Sequence, residues 1–225
     1  MKRYLLLFTM TFSLFGLSAQ NDSTIVPYKN QIKISPLRTL LDIANPGIEI
    51  AYERRITAKF STQLTVAHLN NFLFSSLYNK IHGYRISLEP KFYFCFIQDV
   101  RLFFSMEMAH SQSQYTMNLK FRKRKWPTIP DGPENYWTDL EADKNLSILN
   151  VKFGLQIKLE RILVELSGGL GIKNKNITLS KAPEEKQNYR LDRTFIESLI
   201  VSGAYAEGSY GTLTVPFNIK FGYRF

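Results

Sequence analysis

The stretch LTVPFNIKFGYRF, Leu213 to Phe225, alternates without a break. Leu213, Val215, Phe217, Ile219, Phe221, Tyr223 and Phe225 are all apolar or aromatic, and Thr214, Pro216, Asn218, Lys220, Gly222 and Arg224 lie between them. A period of two puts the first set on one face of a β-strand and the second on the other. The pattern recurs along the chain. Tyr84, Ile86, Leu88, Pro90, Phe92 and Phe94 alternate with Arg85, Ser87, Glu89, Lys91 and Tyr93. Val100, Leu102, Phe104, Met106 and Met108 alternate with Arg101, Phe103, Ser105, Glu107 and Ala109. LNVKFGLQIKL, RILVELSGGLGI, GIEIAYERR and FSTQLTVAHL repeat it, and NQIKISPLRTL does so more weakly. The sequence therefore predicts an all-β chain of eight antiparallel up-and-down strands, an even number and the smallest for a transmembrane barrel.

The chain opens with MKRYLLLFTMTFSLFGLSAQ. Lys2 and Arg3 precede an apolar run from Tyr4 to Leu17, and small residues follow at Ser18 and Ala19. This is the layout of a secretory signal peptide, expected over residues 1–20, with a barrel domain over 21–225. Removing Lys2 and Arg3 takes the formal charge from +10 to +8. The single cysteine, Cys95, allows no internal disulfide. No later run of 18 apolar residues exists, so a membrane-spanning role requires a closed barrel.

The predicted connections alternate in length. RITAK, CFIQ and LER are short. NNFLFSSLYNK is longer, and the runs of about 111–145 and 173–211 read as long loops. Outer-membrane barrels pair short periplasmic turns with longer external loops. Periodicity alone does not say which face points outward. The signal peptide, the continuity of the apolar faces and the aromatics at strand ends favour apolar-out. The polar faces would then share a lumen just wide enough to be filled by side chains. Glu49, Glu53, Glu89, Glu107 and Glu165 would pair there with Arg85, Lys91, Arg101, Lys152, Lys158, Lys220 and Arg224, because an unpaired buried charge is costly.

The ending PFNIKFGYRF, with Phe217, Ile219, Phe221, Tyr223 and Phe225 on its apolar face, resembles the C-terminal assembly signal read by the barrel-insertion machinery. NPGIEIAYERR, Asn45 to Arg55, and GYRISLEPKFYF, Gly83 to Phe94, resemble segments of small eight-stranded outer-membrane barrels of Bacteroides-type bacteria, among them a family of unknown function. The resemblance covers most of the mature chain. It implies an outer-membrane location and carries no catalytic motif.

Three other features bear on function. Lys120, Arg122, Lys123, Arg124 and Lys125 cluster where strand 5 should leave the membrane, a depth at which cations meet lipid phosphate, as in lipopolysaccharide. A solvated loop, pairing with the acidic residues that follow, explains them equally well, and nucleic acid is not expected. His110, Ser111 and Ser113 resemble the His and Ser of outer-membrane lipid A deacylases, without that family's fuller motif. Tyr189 to Gly203 breaks the period of two and reads as a short amphipathic helix capping the mouth. The three histidines show no metal-ligand spacing, and no cofactor is expected. The expected function is a plugged barrel with a structural or surface-interaction role. A lipid A-modifying enzyme, a narrow pore and a soluble barrel with its apolar face inward are the alternatives.

Overall fold

The computed structural model describes residues 29–36, 47–70, 80–97, 99–123, 135–181, 189–191 and 208–225. The signal-peptide segment and residues 192–203 of the expected helix lie outside them. All described elements are strands: β1 (Asn30–Ile34), β2 (Gly47–Arg55), β3 (Phe60–Asn70), β4 (Lys80–Ile97), β5 (Val100–Lys123), β6 (Asn135–Leu159), β7 (Ile162–Lys181), β8 (Tyr189–Leu191), β9 (Gly208–Thr214) and β10 (Phe217–Arg224). Each strand from β1 to β7 pairs antiparallel with the next, and β10 pairs with both β7 and β1. The sheet is thus a closed eight-stranded up-and-down barrel.

β9 and β10 are two stretches of one wall strand, interrupted at Val215 and Pro216. Proline has no amide hydrogen to give to the ladder, yet the Pro216 carbonyl still accepts from Gly169 N at 3.0 Å. Tyr189–Leu191, expected to open a helix, instead pairs as β8 with the far end of β5. β4 carries a bulge at Phe94, between the paired residues Tyr93 and Cys95. The links β2–β3, β4–β5 and β6–β7 lie at one end, together with Asn30 and Phe225. In the β6–β7 link Glu160 adopts φ 51°, the left-handed geometry of a tight hairpin turn. The other connections leave from the opposite, long-loop end.

The described parts of the two expected long loops are strand instead. β5 runs on to Lys123 and β6 begins at Asn135, and the ladder continues past His110↔Ser147 to Arg122↔Asn135. β7 runs on to Lys181 and pairs there with β6 and β9. The reason is a reversal of polarity. Lower in the barrel the apolar residues point out: Ile50, Val66, Ile86, Val151, Phe153 and Ile172 are exposed, while Glu53, Gln63, Glu89, Lys152 and Glu165 are buried. Higher up the faces exchange. Leu69, Ile81, Tyr115, Leu146 and Ile177 are buried inside, and Gln112, Gln114, Asn145, Asn174 and Asn176 face outward. A strand whose apolar set switches faces midway loses the continuous apolar stripe by which its lower half is recognised.

Candidate functional site

The lumen of the lower barrel is filled by a charge network that ties opposite walls together. Lys33 on β1 reaches Glu53 on β2 at 2.5 Å and also pairs with Glu165 on β7. Lys91 on β4 crosses to Glu165 at 2.6 Å and holds Glu53 at 3.1 Å. Lys152 on β6 and Lys220 on β10 both approach Glu89 on β4, at 2.9 and 3.5 Å. Arg85 holds Glu107 at 3.0 Å. Neutral donors use the remaining lone pairs. Tyr93 Oη and Ser61 Oγ donate to Glu53 at 2.7 and 2.8 Å, Ser105 Oγ to Glu89 at 2.7 Å, and Asn150 Nδ2 to Glu107 at 2.7 Å. Buried ion pairs are tolerated when further hydrogen bonds complete both partners in this way.

Below the network, toward the short-turn end, Tyr93, Phe103 and Leu163 are completely buried. The Lys91 ammonium lies 4.8 Å from the centre of the Phe103 ring. Gly154 is required opposite that ring, because a Cβ there would run into Phe103 and the Leu166 carbonyl. Of the GGLG run, Gly169 and Gly171 lie where a Cβ would strike the backbone of β6, whereas a Cβ at Gly168 would meet the Phe217 ring only at ordinary contact distance.

Of the residues expected in the lumen, Glu49, Glu53, Arg85, Glu89, Lys91, Glu107, Lys152, Lys158, Glu165 and Lys220 are buried inside. Arg101 and Arg224 face inward, half-buried, at the short-turn end. Lys33 and Arg55 were missed. Lys33 lay in the weakest strand, where only Ile32 and Ile34 flank it, and Arg55 stood next to Arg54 in a run that read as turn. Gln63 and Gln156 also join the network as neutral bridges, Gln63 between Lys91 (3.0 Å) and Glu89 (3.2 Å).

The outer wall is a band with sharp edges. On β7 it runs from Ile162 to Ile172, about 33 Å along the strand and about 25 Å along the axis at a tilt of about 40°. Its upper edge passes from strand to strand through His110, Ser147, Asn174 and Gly211, following the register. Tyrosines mark both edges. Tyr52 Oη donates to Asn30 Oδ1 at 2.7 Å, and Tyr223 Oη accepts from Arg161 at 3.1 Å at the lower edge. Tyr84 Oη donates to Gln112 Oε1 at 3.0 Å at the upper. A groove of about 630 Å³ straddles this upper edge, apolar below at Ile86, Met108 and Leu149 and polar above at His110, Ser147 and Asn174.

Phe217, Phe221, Tyr223 and Phe225 are exposed on the wall, with Ile219 partly covered between them. The deacylase-like arrangement does not form. His110 is exposed on the outer wall, whereas Ser111 and Ser113 are buried on the inner face. Successive strand residues point to opposite sides of a sheet, so His110 has no path to Ser111. The backbones of Lys120 and Arg122 pair with Trp137 and Asn135 in the β5–β6 ladder, and Lys123 pairs with Tyr189. The side chains of all three, and Arg124 and Lys125 entirely, lie outside the described residues. Among the described residues no cluster of His, Cys, Asp and Glu could hold a metal ion.

No family model matches the chain, and no relative is found among curated proteins or among solved structures.

Proposed function

We propose that the chain is an integral outer-membrane barrel of the Bacteroides-like type its segments resemble, with a structural or surface-interaction role rather than a catalytic one. One observation carries the reading: the exchange of polar and apolar faces along β3 to β7. A strand in water buries its apolar set, and a strand in lipid turns that set outward. The chain does the first above His110 and the second below it. An apolar band about 25 Å tall is the height of a membrane barrel's lipid face, and so large an exposed apolar surface is not sustained in water. The groove at the upper edge then faces acyl chains below and headgroups above.

The short-turn end faces the periplasm in this reading, and the chain arrives there through a cleaved signal peptide. The insertion machinery reads Phe217, Ile219, Phe221, Tyr223 and Phe225. The long-loop end rises well clear of the membrane: β5 continues about 40 Å along its path beyond His110. That wall carries the external loops toward surface polymers or a protein partner. Lys120 already lies ten residues, about 33 Å of strand, beyond His110, so in this reading the basic run Lys120, Arg122, Lys123, Arg124 and Lys125 meets anionic surface polymer rather than the lipid phosphates at the membrane edge.

The decisive test is electrophoretic. The membrane fraction run unboiled should hold a folded band that shifts on boiling; a soluble protein with no shift overturns the membrane reading. In this reading the ion-paired lumen and its Tyr93–Phe103–Leu163 floor act as a plug. Planar-bilayer recordings of the inserted protein are accordingly expected to show no steady current at 100 mV in 1 M KCl. Stable unitary conductance would overturn the plug.

A further inference from the structure

Among the described residues the buried cations outnumber the buried carboxylates, and the excess that matters lies at the short-turn end. Five buried carboxylates, Glu49, Glu53, Glu89, Glu107 and Glu165, are matched in number by the cations of the ion-pair network, Lys33, Arg85, Lys91, Lys152 and Lys220. Three further cations are buried: Lys144 toward the long-loop end, and Arg55 and Lys158 at the short-turn end. Arg55 and Lys158 lie on β2 and β6, four places apart in a ring of eight, so they face each other across the mouth.

Arg55 is 4% exposed. Its guanidinium lies 5.2 Å from the centre of the Tyr93 ring, but the Tyr93 hydroxyl is given to Glu53. Arg55 Nε and Nη2 are buried without a hydrogen-bond partner. These two nitrogens form one edge of the guanidinium, the edge that grips carboxylate or phosphate with two parallel hydrogen bonds. The inward carboxylates Glu53 and Glu165 already hold Lys33 and Lys91. Arg101 and Arg224 add positive charge on the inward faces of β5 and β10 at the same end. A buried cation without a counter-ion is strongly disfavoured, and an aromatic ring face offsets only part of that cost.

We propose that the short-turn mouth is an oxyanion site, in which the Nε–Nη2 edge of Arg55 and the ammonium of Lys158 hold one phosphate or carboxylate group from opposite walls. The Tyr93 ring seats the guanidinium, and the neutral network above it stops the anion from passing further. The site itself stands on the lumen alone. Only its compartment, the periplasm, rests on the outer-membrane reading.

The test uses the full-length mature chain refolded in detergent, with the mobility shift on boiling as a separate check that the barrel has formed. Urea midpoints are measured in inorganic phosphate, in acetate and in chloride at equal ionic strength. Phosphate, acetate or both should raise the wild-type midpoint above its chloride value, and the two titrations show which oxyanion the site prefers. Arg55→Lys keeps the charge and loses the fork, so its apparent affinity should fall by about tenfold or more. Arg55→Met should abolish the oxyanion response while leaving the chloride midpoint equal to or above that of wild type. Lys158→Met gives a second reading from the opposite wall if the Arg55 variants do not fold. The proposal is overturned if a barrel that shifts on boiling shows the same midpoint in all three anions. It is also overturned if the variants that fold respond as wild type does. Failure of the mobility shift with a retained oxyanion response would count against the membrane reading instead.

Discussion

Glu165→Leu is expected to cost about 3–5 kcal/mol of folding stability, the largest loss from a single lumen substitution. Glu165 is fully buried, and three lysines converge on it: Lys33, Lys91 at 2.6 Å and Lys220 at 3.9 Å. Gln156 Nε2 donates to it at 3.3 Å. Removing the carboxylate leaves Glu53 as the sole acid beside Lys33 and Lys91, and one of those ammonium groups loses its counter-charge. The loss is in the leftover charge rather than in the missing contact. Glu165→Leu combined with Lys91→Met should therefore recover much of the stability, a coupling that a double-mutant cycle reads directly. Urea midpoints in lipid vesicles, followed by the folded band on unboiled gels, measure both. A Glu165→Leu protein within about 1 kcal/mol of wild type would mean that water already screens the lumen and that the network is not dry.

Phe153→Arg tests the wall by the same assay. Phe153 is 60% exposed near mid-height of the band and packs edge-on against Phe104, with ring centroids 5.2 Å apart. Facing lipid, an arginine there should cost about 2–4 kcal/mol, and Ser147→Arg at the upper edge about 0–1 kcal/mol. Facing water, Phe153→Arg should shift stability by no more than about 0.5 kcal/mol and improve solubility. Equal effects at the two positions would count against a bilayer around the band.

How much of this was legible without the fold differs from element to element. β4, the first half of β5 and β10 were plain, because each keeps one apolar face over the whole height of the apolar band. β1 was nearly lost, since five residues hold only two outward apolar side chains, Ile32 and Ile34. The upper halves of β5, β6 and β7 were read as loops. Their apolar residues are sparse and sit on the opposite parity, so the alternation cancels when followed across His110 or Ser147. In the lumen the acids were plain, because Glu49, Glu89, Glu107 and Glu165 each stand between two apolar neighbours and Glu53 continues the same parity after Tyr52.

The sequence by itself determined the strand period, the parity of the charged face and the excess of cations over acids on it. These are local properties, fixed by a side chain's position relative to its neighbours in the chain. Only the tertiary structure decided which charges meet. Lys91 and Glu165 are 74 residues apart and touch because closure brings β4 across the lumen from β7. Closure likewise set Arg55 opposite Lys158. Pairing across a barrel depends on strand number, tilt and register together, and those quantities belong to the whole ring rather than to any one segment.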